Sequence, residues 1–277
     1  MKIFEKIHKL YTPIKLKTEF RGSWRMKKIL ERLATRENRI KEKGNSIFEE
    51  GDWDNLIILD AARKDLYEEV NGETNYRTAK ASQTTEYIEK TFSQGDYEDI
   101  IYITGNPFFH DKKFKQFTGR KPEEIFHSVF RTYENKWHDE ENTVMPEAIL
   151  EDALTAERLF PDKKKIIHFM QPHYPFIGSE FTNKGLNQDL DRGKKEMSLW
   201  QKASLGEYTR EEIWGAYKEN LEKVMPAVNE LAEKLDGKTV ITSDHGNMVG
   251  ENGVWGHPRG LKTEQLRKVP WDVREDE

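Results

Sequence analysis

Asp60, Thr84, His173, Asp244 and His245 are the residues through which this sequence could do chemistry. Two carboxylates and an imidazole form a mixed oxygen and nitrogen donor set that suits zinc, manganese or magnesium, and three protein ligands leave a coordination position open. Asp244 and His245 are adjacent and precede Gly246, whose backbone freedom would let both side chains turn inward. Alone, the tripeptide fits equally a strand-end Asp capping the next helix with a solvent-facing His. The chain has no cysteine, so any metal must rest on carboxylate, imidazole, hydroxyl or carbonyl groups.

The run Ala81-Ser82-Gln83-Thr84-Thr85-Glu86-Tyr87 opens a helix expected over 85–92 and puts a threonine hydroxyl at its positive end, where free N–H groups can meet an oxyanion. A threonine hydroxyl is a weak nucleophile, and metal coordination lowers its pKa. A plain helix cap with Glu86 or Glu89 in the first turn would have the same sequence. His173 lies between Pro172 and Pro175, and His257 in a loop containing Gly250, Gly253, Gly256 and Gly260. Either histidine could assist a leaving group, touch a substrate anion or hold a second metal; hydrogen-bonded loop histidines are the bland alternative. Arg259 and Asn106 are the candidate substrate contacts, and Arg63 is expected to orient Asp60 or pair with Asp65.

These residues need a scaffold that brings distant segments to one edge. Four short apolar runs, at 55–59, 99–104, 165–170 and 238–243, read as buried parallel strands, with helical periodicity at 65–70, 85–92, 146–160 and 209–235 between them. Pro226 is expected to kink or divide the last helix. The alternation predicts an α/β fold, a mostly parallel sheet with helices on both faces, whose ligands gather at the carboxyl ends of the strands. Asp60, Asn106, His173 and Asp244 all follow such ends.

With 277 residues, 35% hydrophobic and 34% charged, the chain can build a core under a very polar surface, and its 14 Phe, 10 Tyr and 7 Trp argue against disorder throughout. Residues 1–43 carry 14 Lys and Arg against 5 Glu, a basic head on an acidic body. Residues 3–10 and 26–33 read as short amphipathic helices, so 1–46 is expected to form a basic helical arm and 47–277 the catalytic domain. The arm could lie on an anionic membrane, or simply pack on the body. No apolar run is long enough to span a bilayer, and charges interrupt any would-be signal core, so a cytoplasmic protein, at most peripheral at a membrane, is expected, with no nucleic-acid partner.

In order along the chain, Asp60-Ala61-Ala62-Arg63, Ser82-Gln83-Thr84-Thr85-Glu86-Tyr87, Gln171-Pro172-His173-Tyr174-Pro175-Phe176, Ser243-Asp244-His245-Gly246 and Gly256-His257-Pro258 resemble the alkaline phosphatase superfamily, in particular its sulfatase-like branch. The resemblance covers about residues 54–273, and the tail at 266–271 looks like the segment that returns to the sheet. It implies that Asp60, Asp244 and His245 ligate a divalent metal, zinc or manganese, and that Thr84, with Thr85 as fallback, is both ligand and nucleophile. His173 would sit near the phosphate or leaving group, and His257 would ligate a second metal or contact substrate. Sulfatases of this superfamily make formylglycine from cysteine, or from serine in a Ser-x-Pro-x-Arg setting; this chain offers neither. The resemblance therefore implies a phosphoester hydrolase or phosphotransferase acting on a phosphate ester, sugar- or lipid-linked, rather than a sulfatase. A non-catalytic membrane-surface or glycan-associated binding protein of the same fold is the rival, and a sulfatase lacking formylglycine the weaker alternative.

Overall fold

The computed structural model describes residues 39–179 and 198–275. The expected helices at 3–10 and 26–33 lie outside them. The core is a seven-stranded sheet in the order β2-β7-β6-β1-β5-β3-β4, with β1 Asn55–Leu59, β2 Asn75–Thr78, β3 Tyr97–Thr104, β4 Phe126–Arg131, β5 Lys164–Phe169, β6 Thr239–Thr242 and β7 Lys268–Arg274. Strands β6, β1, β5, β3 and β4 run parallel, while β7 is antiparallel to both its neighbours.

The apolar runs are continuous because the central strands are covered on both faces. Along β1, Ile57 and Leu59 enter one cluster while Leu56 and Ile58 enter the other. The first cluster is closed by helices α1 Lys64–Asn71, α4 Pro146–Leu159, α5 Leu199–Ser204 and α6 Arg210–Lys234; the second by α2 Thr84–Phe92 and α3 Asp111–Thr118. The result is a helix–sheet–helix sandwich, the α/β architecture expected from the sequence.

Two details differ from expectation. α6 runs through Pro226 undivided. Pro226 is exposed, and so is Glu222, whose carbonyl loses its helical donor to the proline and can be solvated instead. α2 begins at Thr84, one residue early, with Gln83 as its N-cap. Phe109 is fully buried and stacks on Tyr102 at 4.2 Å.

The segment leading into the domain is tied to the body. The Ile40 N–H donates to Lys262 O at 2.8 Å, and the Asn45 N–H to Thr78 O at 2.9 Å. The buried Arg267 donates to the carbonyls of Glu42 and Lys43.

Candidate metal and nucleophile site

Register alone places the first two carboxylates together. Ile58 on β1 pairs with Thr242 on β6, so Asp60 and Asp244 leave adjacent parallel strands at the same height, each two residues beyond the matched pair. Backbone amides then hold Asp244: its Oδ1 accepts from the N–H of Ala61 at 3.0 Å and of His245 at 2.9 Å. Ala61 has φ of 64°, a left-handed turn in which the Tyr217 hydroxyl donates to the Ala61 carbonyl. Ser243 Oγ accepts from the Ala62 N–H at 2.9 Å and lies 2.6 Å from His245 O, tying the two strand ends together.

Asp60, Asp244 and His245 each offer a ligand atom within 4.8 Å of the others, and all three residues are buried. His245 Nδ1 lies 2.9 Å from the Gly246 carbonyl, which can only accept, so Nδ1 carries the proton and the Nε2 lone pair points into the cluster. Nε2 is 3.4 Å from Asp244 Oδ2 and 3.8 Å from Asp60 Oδ1. Both of those carboxylate oxygens are buried, and among the described residues neither has a hydrogen-bond donor. Buried anionic oxygens left unpaired are costly, and a cation at their convergence removes that cost; the donor set fits a divalent metal.

Thr84 Oγ1 lies 3.1 Å from His245 Nε2 and 3.5 Å from Asp60 Oδ2. The Thr85 hydroxyl instead accepts from Arg259 at 3.3 Å. Of the two threonines, Thr84 is the one aimed at the cluster. Burial alone would raise the Asp60 carboxyl pKa; His173, His168 and His245 together outweigh it and hold the group well below the usual carboxylate range.

His173 and His257 form a half-buried rim above this floor, ring centroids 5.0 Å apart, with His257 4.8 Å from His245. His257 Nδ1 is 2.7 Å from Asn247 Oδ1. Burial pushes the His257 imidazole well below its ordinary value, His245 and His173 add to that, and Asp60 opposes. The His173 loop is clipped by Asn220 of α6, whose amide donates to the carbonyls of Pro172 at 3.2 Å, His173 at 3.1 Å and Pro175 at 3.2 Å. Both flanking prolines follow cis peptide bonds.

The remaining expectations divide. Arg63 pairs with Asp65, as anticipated, and also with Glu251 at 2.7 Å. Asn106 donates to Asp60 Oδ2 at 2.9 Å and accepts from the Phe108 N–H, so its amide holds a carboxylate in place. Arg259 is engaged by Thr85 and Glu89 at the rim. Sequence reasoning missed His168, buried in β5 and 3.7 Å from Asp60 Oδ2, although an imidazole inside an apolar strand was a visible signal. It also missed Asn220, Asn247 and Arg77; Arg77, buried on β2, donates to Thr242 Oγ1 and to the carbonyl of Ser243 just before Asp244.

No protein-family model matches the sequence. No curated protein sequence matches it either. Solved structures do match. The soluble domain of lipooligosaccharide phosphoethanolamine transferase A from Neisseria meningitidis aligns with a TM-score of 0.53 at 13% identity, over 83% of this chain and 78% of that one. For the integral membrane protein the values are 0.56 and 13%, over 93% of this chain and 55% of the other, so this chain spans about half of its length. The C-terminal periplasmic domain of phosphoethanolamine transferase EptC from Campylobacter jejuni gives 0.51 and 12%, over 79% and 77%. A 2-O GAG sulfatase gives 0.52 and 11%, over 85% and 65%.

The expectation of a cytoplasmic protein is corrected by these neighbours, which include a periplasmic domain and an integral membrane protein. Among the described residues no helix is long and apolar enough to cross a membrane, but the same fold stands outside the cytoplasm in those proteins, so that feature does not argue for the cytoplasm. With its mostly parallel sheet, the chain has the α/β fold of these phosphoethanolamine transferase structures and of this sulfatase.

Proposed function

We propose that this chain is a metal-dependent phosphoester transferase or hydrolase with Thr84 Oγ1 as its nucleophile. The observation that carries the reading is Thr84 Oγ1 standing 3.1 Å from His245 Nε2, beside two buried carboxylate oxygens without a partner. Asp60, Asp244, His245 and Thr84 would hold one divalent cation, zinc or manganese, which supplies a lowered hydroxyl pKa and charge stabilisation at the phosphoryl oxygens. Thr84 Oγ1 attacks phosphorus while the neutral imidazole of His173 or His257 takes the hydroxyl proton; the new Oγ1–P bond forms as the ester P–O bond breaks, and the departing alcohol takes that proton from the same imidazole. A second alcohol or water then attacks phosphorus and releases Thr84. Arg259 would leave Glu89 for the substrate anion, a fork suited to phosphate oxygens. A phosphate ester linked to a lipid or sugar is the substrate class we favour, from the likeness to lipooligosaccharide phosphoethanolamine transferase A. The basic residues 1–43 would serve an anionic surface as an arm joined to the domain at 47–277 through Ile40, Glu42, Lys43 and Asn45.

The test compares aryl phosphodiester, phosphomonoester and sulfate ester turnover by the wild-type chain loaded with zinc or manganese. Turnover of a phosphate ester but not of the sulfate is expected, with a phosphorylated Thr84 peptide trapped by acid quench. Thr84→Ala should abolish turnover and keep the metal, while Thr85→Ala should remain active. Full activity with both threonines replaced would overturn the covalent step.

A further inference from the structure

His168 sits in the middle of an apolar strand with no exposure to solvent. Its register partner on β1 is Ile58, so its side chain rises on the α2 side of the sheet directly behind Asp60. Three aromatic rings cage it: Tyr87 at 6.3 Å, Tyr102 at 6.2 Å and Phe109 at 6.2 Å between centroids. One nitrogen, Nδ1, lies 3.0 Å from the Tyr102 hydroxyl. The other, Nε2, has no hydrogen-bond partner among the described residues and faces Asp60 Oδ2 at 3.7 Å.

We propose that His168, set by Tyr102, is a positioning residue that presents an Nε2–H to Asp60 Oδ2 and so reserves Asp60 Oδ1 for the cation. This rests on the proposed metal role of Asp60, Asp244 and His245. The argument is one of donor and acceptor accounting. Burial keeps the Tyr102 phenol protonated, raised well above its usual value, so it can donate to Nδ1. A neutral imidazole that accepts at Nδ1 carries its proton on Nε2; an imidazolium carries protons on both. In either state Nε2–H faces the carboxylate. The remaining arrangement, a bare Nε2 lone pair against an anionic oxygen, is repulsive and leaves both atoms unsatisfied.

With that proton in place the two oxygens of Asp60 become unequal. Oδ2 receives the Asn106 amide at 2.9 Å, has the Thr84 hydroxyl at 3.5 Å and faces His168, while Oδ1 has no donor among the described residues. The free oxygen is therefore the one facing His245 Nε2, at 3.8 Å. Groups behind a ligating carboxylate that fix its orientation are worth roughly 10- to 100-fold in metal affinity.

The experiment titrates the full-length metal-free chain with manganese alone, and with zinc alone, by calorimetry and chelator competition. His168→Phe should weaken binding about 10- to 100-fold, His168→Gln, which keeps an N–H, should recover most of the loss, and Tyr102→Phe should fall between them. Unchanged affinity in both His168→Phe and Tyr102→Phe, with wild-type binding intact, overturns the inference and leaves the metal site standing. Absence of binding in the wild type overturns both. Independently of folding in the variants, imidazole nitrogen shifts of the metal-free wild type should show a protonated His168 Nε2; a bare Nε2 overturns the assignment.

Discussion

The floor of the site and its rim are built differently. Asp60, Asp244 and His245 leave strand ends whose register fixes them, and Asp244 is held by two main-chain amides. His173 and His257 stand on loops and are steadied by side chains, Asn220 beneath one and Asn247 beside the other. Groups at strand ends keep their spacing without help from the ligand, whereas the loop-held pair leans more on side-chain amides, although the His173 N–H also donates to the Asp60 carbonyl at 3.0 Å. In the proposed reaction the floor would grip a charge and the rim would exchange protons.

The sharpest way to break the comparison is Asp244→Asn. On the floor it removes a charge whose Oδ2 is buried and unpaired. Turnover should fall about 10³-fold or more as metal binding is lost. The metal-free protein should become more stable, because a buried unpaired carboxylate oxygen costs on the order of 1–3 kcal/mol, or a few degrees in Tm for a domain of this size. Calorimetry in chelator reads this directly. A fall in metal-free stability would mean that the floor is an ordinary structural network.

The rim should behave otherwise. His257→Ala is expected to lower kcat about 10²-fold, the usual worth of a general acid or base, with metal affinity within about threefold of wild type. A parallel loss of metal would move His257 onto the floor. Asn220→Ala is smaller still. It strips the donor from three loop carbonyls, so kcat should fall about tenfold and stability by roughly 1–3 kcal/mol, while metal binding is kept.

The same contrast explains how much was legible in the sequence. Floor residues announce themselves because a parallel strand covered on both faces is an unbroken apolar run, and a polar residue at its end stands out, as Asp60 does after Asn55–Leu59. Edge strands do not announce themselves: Asn75–Thr78 has two exposed residues, and only the first residue of Phe126–Arg131 is fully buried, so neither reads as an apolar run. Supporting residues are hidden for another reason. Arg77 reaches Ser243 across 166 positions and Asn220 reaches His173 across 47, and no local spacing encodes such pairs. His168 was visible as an oddity within its strand, but its meaning depends on Tyr102 and Asp60, which only the folded sheet brings to it.

pH separates the two regions most gently. The His257 imidazole is depressed below its ordinary 6.5 chiefly by burial, so as pH falls through that range the unfolded chain takes up a proton that the folded rim refuses. Stability contributed there is complete above about pH 6.5 and is lost as pH falls, by at most about 1.4 kcal/mol per pH unit. Asp60 is depressed as well, because the attraction of its histidines exceeds its burial cost, and its contribution is lost only as pH falls below the ordinary carboxylate value of 3.8. Denaturant unfolding in chelator should therefore show two separate declines, the upper from the rim and the lower from the floor. His257→Gln should flatten the upper decline and leave the lower one. If the upper slope survives the substitution, another group carries it, and His257 is not the neutral imidazole that the rim needs for proton transfer.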